Sequence, residues 1–217
     1  MKNAKQYIHI LLLAVVTSGA ISWILVQQRD AAKPETRQHT GLGEVMAEET
    51  AKQLAKREKK RVVVISLQSK DPILHAQEES FFAKLKNLCP ESEIKETIRV
   101  DPEGEKRYGP GLGLSTRRFL RIVEHNVKAD VLVSFIGTPD PGSAEMHAFT
   151  SKIPRFVAST RDLADAKKML EKNWLRAAIV PRYDFPAPKD DPKTTQDWFT
   201  RYFQIVTTNE LSSFPKI

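Results

Sequence analysis

Apolar and polar positions change rhythm twice along the chain. From Ile8 to Val26 the sequence reads IHILLLAVVTSGAISWILV, without one Asp, Glu, Lys or Arg. At about 1.5 Å rise per residue, this run nearly matches the roughly 30 Å hydrocarbon core of a bilayer. Residues 1–7 are a short basic tail before it. Residues 27–41 carry Pro34, Gly41 and scattered charges with no apolar rhythm, and read as a linker. Residues 42–60 read as a charged helix. Its stripe of Leu42, Val45, Met46, Glu49 and Leu54 is only thinly apolar, which suits a stalk or a first helix lying along a domain.

From Arg61 the rhythm becomes one of alternating elements. Val62-Val63-Val64-Ile65-Ser66-Leu67 is a short β-branched run, the pattern of a strand buried on both faces. Asp71 and Pro72 open a helix that places Ile73, Ala76, Phe81, Phe82, Leu85 and Leu88 on one face and stops at Pro90. Further strands are expected at Glu93–Val100, Asp130–Ile136, Ile153–Ala158 and Arg176–Val180. Helices are expected after Ser115 and Thr160. Residues Gly137 to Gly142 read as a loop, Pro186, Pro188 and Pro192 mark another, and Trp198–Thr208 reads as a last strand whose aromatics also tolerate a helix. Strands alternating with helices imply an α/β domain over 61–208, a doubly wound, mainly parallel sheet with helices on both faces, and a tail at 209–217.

This order resembles one lobe of a type 1 periplasmic substrate-binding protein or related sugar-binding receptor. The resemblance covers roughly residues 61–182. It rests on the strands Val62–Leu67, Val131–Ile136 and Ala177–Val180 and on the segment Ile153-Pro154-Arg155-Phe156-Val157. It implies a sheet of order 2-1-3-4-5; the same motifs also suit flavodoxin-like and receiver-like domains. The family closes two lobes around its ligand, whereas this chain has room for one. What the resemblance leaves is a crevice at the carboxyl ends of the strands, where open α/β sheets bind ligands. Its expected residues are Ser66, Gln68 and Ser69 after the first strand, Gly111, Gly113, Ser115, Arg117 and Arg118 around the glycine-rich helix entry, and Gly137 and Thr138 after the third strand.

Composition narrows the setting. The formal charge of +7 comes from 34 basic and 27 acidic residues, mixed along the chain, with basic clusters at 56–61 and 117–121. These suit a solvated surface or attraction to anionic headgroups or an acidic partner. No nucleic-acid reader motif occurs, and a membrane anchor is an awkward platform for one. The lone Cys89 excludes an internal disulfide and reads as a packed side chain. Lys2 and Lys5 ahead of the apolar run favour a cytoplasmic N-terminus with the domain extracytoplasmic. Ser18-Gly19-Ala20 offers a cleavage site, but Ile21 to Val26 continue the apolar run beyond it. An uncleaved single-pass signal-anchor is therefore expected, with secretion after cleavage as the alternative.

Tests for catalytic chemistry return little. The Gly109–Gly113 group before Arg117 and Arg118 could hold an anion, but its spacing fits neither the P-loop nor the dinucleotide fingerprint. Ser143, Asp140 and His147 crowd together without a nucleophile elbow. Neither a metal motif nor a receiver-type acid at the end of the third strand occurs. Glu78-Glu79 and Asp190-Asp191 read as solvated surface. No catalytic residue, metal or cofactor is assigned. The first expectation is an extracytoplasmic binding or interaction domain for a small polar or anionic ligand, leaning away from an enzyme. A membrane-tethered enzyme, with the glycine-rich loop and both arginines gripping an anionic substrate and His147 as base, is one alternative. A structural subunit of a membrane complex is another, held through helix 42–60 and Trp198, Phe199, Tyr202 and Phe203. A protein partner or a second copy could complete a cleft.

Overall fold

The computed structural model describes residues 34–101, 114–182 and 192–213. The described residues from Gln38 onward belong to one compact unit. The apolar run at 8–26 lies outside the described residues. No helix among the described residues is long and apolar enough to cross a membrane.

Helix α1 (Pro34–Leu54) precedes β1 (Arg61–Leu67), α2 (Pro72–Leu88), β2 (Glu93–Val100), α3 (Thr116–His125) and β3 (Val131–Ser134). Then come α4 (Ala144–Ala148), β4 (Arg155–Ser159), α5 (Leu163–Glu171), β5 (Ala177–Pro181), α6 (Thr195–Tyr202) and β6 (Phe203–Thr207), closed by a 3-10 turn over Thr208–Ser213. The six strands form one sheet of order β2-β1-β3-β4-β5-β6. All neighbours are parallel except β6, which lies antiparallel to β5 with Ile179 opposite Ile205.

Side-chain alternation divides the strands between two cores, as the two-residue period of a strand requires. Val63, Ile65, Leu132, Phe156, Ala158, Ala178 and Val180 face Phe119, Ile122 and Val123 of α3, Met146 of α4 and Met169 and Leu170 of α5. Val62, Val64, Val131, Val133, Val157, Ala177 and Ile179 face the other way, against Leu42, Val45, Met46 and Leu54 of α1, Phe81 and Leu85 of α2 and Phe199 of α6. Each large side chain buried in these layers contributes roughly 2 kcal/mol.

Three local expectations change. Residues 34–41 are helical rather than linker, and α1 stops at Leu54 instead of 60. Pro34 suits a first helical position because its missing N–H is one that a helix start leaves unpaired. The helix is no stalk. Leu42, Val45, Met46, Glu49, Thr50 and Leu54 recur at helical spacing and are all buried. Gly41 and Gly43 make this seating achievable. A methyl group at Gly41 would lie 2.4 Å from the Thr195 carbonyl oxygen of α6, and one at Gly43 would lie 2.1 Å from the Gln77 carbonyl oxygen of α2.

The expected final strand is a helix followed by a strand. The Thr194 hydroxyl accepts the Asp197 N–H at 3.1 Å, and the Asp197 carboxylate accepts the Thr194 N–H at 2.9 Å. This reciprocal cap nucleates α6 and lets Phe199 enter the core. Just past the expected loop at Gly137–Gly142, Ser143 accepts the Met146 N–H at 3.3 Å and starts the short helix α4, with Met146 buried beneath it.

Candidate functional site

The chain runs from β1 outward to β2, then crosses back over β1 to β3. The direction thus reverses between β1 and β3, and the space outside the carboxyl ends of strands at such a reversal is where open α/β sheets hold ligands. Backbone pairing persists to its rim, with the Phe135 N–H on the Ile65 carbonyl at 2.9 Å and the Gln68 N–H on the Val100 carbonyl at 2.8 Å.

On the β1 side, Ser66 is buried and donates its hydroxyl to Glu78 Oε1. The same oxygen accepts from Arg99 Nη1 at the end of β2. Both bonds are charge-assisted, which is what allows a carboxylate only 7% exposed to persist there. Glu78 is therefore not the surface residue expected from its pairing with Glu79. It lies one turn before Phe81, on the inward face of α2 with Phe81 and Leu85. The Gln68 side chain is exposed, and the Ser69 hydroxyl oxygen accepts the Asp71 N–H at 3.0 Å, just before Asp71 caps α2.

The β3 side is built around a tight turn. Ser134 Oγ donates to the Gly137 carbonyl at 2.7 Å and accepts the Ile136 N–H at 3.3 Å. Gly137 has φ 98°, a conformation that side chains other than hydrogen strain. Thr138 follows, 6% exposed, and its Oγ1 is buried with no partner among the described residues.

Helix α3 begins at the same edge of the sheet. Ser115 is its N-terminal flanking residue, Arg117 is exposed and Arg118 half-buried. Thr116 Oγ1 donates to the Asp140 carbonyl at 3.4 Å and lies 3.4 Å from Ser143 Oγ, which ties the start of α3 to the loop after β3. Ser66, Gln68, Ser69, Ser115, Arg117, Arg118, Gly137 and Thr138 thus stand on segments that share the carboxyl edge of the sheet. Gly111 and Gly113 lie outside the described residues, as does Asp190-Asp191.

The crowded Ser143, Asp140 and His147 do not form a triad. Ser143 Oγ donates to the Asp140 backbone carbonyl at 3.1 Å, and Asp140 Oδ1 accepts the Gly142 N–H at 2.7 Å. His147 Nε2 instead lies 3.5 Å from Lys172 Nζ, which sits 4.6 Å above the Trp174 ring. At the start of α5, burial pushes the Asp165 carboxyl up to about 6, and the charges of Asp162 and Asp140 push in the same direction. Among the described residues, no group of His, Cys, Asp and Glu is arranged to hold a metal. Cys89 is buried at the end of α2, and burial raises its thiol above the ordinary cysteine range. Of the aromatics considered for docking, Phe199 is core and Trp198 stacks on Tyr202 with ring centres 6.0 Å apart.

No protein-family profile matches the sequence, and no curated protein matches it. Solved structures do. The chain is similar to an ABC transporter solute-binding protein from Burkholderia graminis, solved with D-arabinose, at 17% identity and a TM-score of 0.53, over 82% of this chain and 62% of that one. It is similar to an arabinose-binding protein from Geobacillus stearothermophilus at 12% identity and a TM-score of 0.54, over 82% of this chain and 63% of that one. A sugar-binding protein of a sugar ABC transporter from Bacillus halodurans matches at 12% identity and a TM-score of 0.55, over 82% and 64%. This chain therefore spans less than two thirds of the proteins it matches. The likeness is one of fold: a single periplasmic-binding-like lobe, with the antiparallel strand β6 at its edge.

Proposed function

We propose that this chain is a membrane-anchored, extracytoplasmic binding domain that takes a small polar ligand at the β1–β3 crevice. One observation carries the reading: at the point where the sheet reverses its winding, the Thr138 hydroxyl is buried without a partner among the described residues. A buried hydroxyl left unpaired costs about 1–3 kcal/mol, a penalty that a ligand bearing hydroxyl groups relieves. Support for a sugar-like ligand comes from the solved neighbours, several of which carry or are named for arabinose. Support for the anchor comes from the uncharged run at 8–26 and the basic residues Lys2 and Lys5 before it. One lobe offers one side of a cleft, and a second copy of the chain would supply the other.

Thermal melting of the full chain in mild detergent, across a panel of monosaccharides beginning with D-arabinose, tests the binding reading. A saturable rise in midpoint for one sugar, lost in Thr138→Val, is the expected result. A flat response across neutral sugars and other small polyols contradicts it. Membrane flotation of the chain with and without residues 8–26 tests the anchor separately.

A further inference from the structure

A cavity with a volume of about 330 Å³ lies at the amino end of the sheet, opposite the carboxyl edge. Its lining includes Arg57 beyond α1, Lys128 before β3, Lys152 and Arg155 at the entry to β4, and Arg176 at the entry to β5. Among the described residues, Asp130 is the one carboxylate in the lining, and its Oδ2 already accepts the Arg61 N–H at 3.0 Å. Five cations thus converge on a hollow that one engaged carboxylate cannot neutralise.

A structural account covers part of this. Arg155 Nη1 donates to the Gln53 carbonyl at 2.6 Å and so closes the end of α1, and Arg176 Nη1 donates to Asn173 Oδ1. Cations also suit the carboxyl ends of helices. That account leaves the rest unexplained. Arg57 Nε is buried without a hydrogen-bond partner among the described residues. No ion pair engages Lys128 or Lys152 there. Burial holds the Arg155 guanidinium below the ordinary arginine range, and the charges of Arg57 and Arg176 push the same way against the opposing pull of Asp130. Such mutual repulsion is relieved by an anion in the middle.

From the convergence of Arg57, Lys128, Lys152, Arg155 and Arg176 on one cavity, we infer that the amino end of this sheet is a binding site for a phosphate group. Guanidinium forks match phosphate oxygens in pairs, and lysines add point charge. The volume lies at the lower end of the range for small-molecule pockets, enough for a phosphorylated metabolite or for the headgroup of an anionic lipid. The site is distinct from the carboxyl-edge crevice and does not depend on it.

Calorimetric titration of the full chain with inorganic phosphate, at constant ionic strength set with chloride, tests the site. A second arm titrates the same chain, held in neutral detergent, with short-chain phosphatidylglycerol against short-chain phosphatidylcholine. Each arm is repeated with Arg176→Gln and with Lys152→Gln, of which the second removes an exposed charge and leaves the α1 closure intact. Saturable phosphate binding, weakened roughly tenfold by either variant, supports the site with a free phosphorylated ligand. Selective phosphatidylglycerol binding, weakened by either variant without phosphate binding, supports it with a lipid headgroup. Absence of both, or binding that both variants retain at full strength, overturns the inference.

Discussion

Ser66 at the end of β1 gives its hydroxyl hydrogen to the buried carboxylate of Glu78 on α2. The bond fixes α2 against the rim of the crevice and explains why a charge sits inside this face of the protein. Arg99 reaches the same carboxylate, but its own side chain is half-exposed, so the hydrogen bonds matter more than the ion pair. Ser66→Ala leaves Glu78 with Arg99 and should lower stability by about 1 kcal/mol. Glu78→Ala leaves a buried hydroxyl unpaired and should lower it by roughly 2–3 kcal/mol. Denaturant unfolding of the two variants checks the order, and equal losses would show that Ser66 does not depend on Glu78.

Gly43→Ala should destabilise the chain even though alanine favours helix by about 1 kcal/mol over glycine. The added methyl meets the Gln77 carbonyl oxygen and Ser80 Oγ, each at 2.1 Å. Overpacking of this kind costs about 1–3 kcal/mol. A lower thermal midpoint is the expected result; an unchanged or higher one would show that α1 does not pack against α2 this closely.

Thr138→Val should raise the stability of the ligand-free chain by about 1 kcal/mol, because it replaces a buried hydroxyl unpaired among the described residues with a methyl of similar shape. Gain of stability together with loss of ligand response is the signature of a polar group kept for binding. A loss of stability on this substitution would mean that the hydroxyl is engaged within the fold.

Asp165 gives a pH dependence with a definite sign. Its carboxyl is raised to about 6 from an ordinary 3.8, so the folded chain holds a proton that the unfolded chain has released. Stability from this group is fully present below the unfolded value and is lost as pH rises through about 6. Asp165→Asn removes the penalty. Relative to that variant, the wild-type chain should gain stability as pH falls from 7 to 4, measured by urea unfolding at each pH. A difference that stays constant across that range contradicts the assigned cause.

The parallel core was legible because its signal is local. Runs such as Val62–Ile65 and Val131–Val133 are apolar at every position, which is what a strand covered on both faces requires. The winding was available only through the fold resemblance, since nothing in β2 itself states that it pairs with β1 on the outer side. Helix α1 misled because its inward stripe includes Glu49 and Thr50, polar residues whose partners, Lys52 and the Met46 carbonyl, lie on the same helix. Strand β6 was obscured because Trp198, Phe199, Tyr202 and Phe203 form an aromatic run that suits a strand. The Thr194–Asp197 cap was the signal that divides them. Glu78 could have been found by counting back one turn from Phe81. The amino-end cavity could not, because Arg57, Lys128, Lys152, Arg155 and Arg176 meet only once the sheet is assembled.

Hydrogen-exchange mass spectrometry of the full chain, with and without the ligand found by melting, reports directly where that ligand sits. Slowed exchange confined to 65–69, 114–118 and 134–140 is the expected result, since these segments border the β1–β3 crevice. Slowed exchange elsewhere, with those three segments unchanged, would contradict the assignment of that crevice as the binding site.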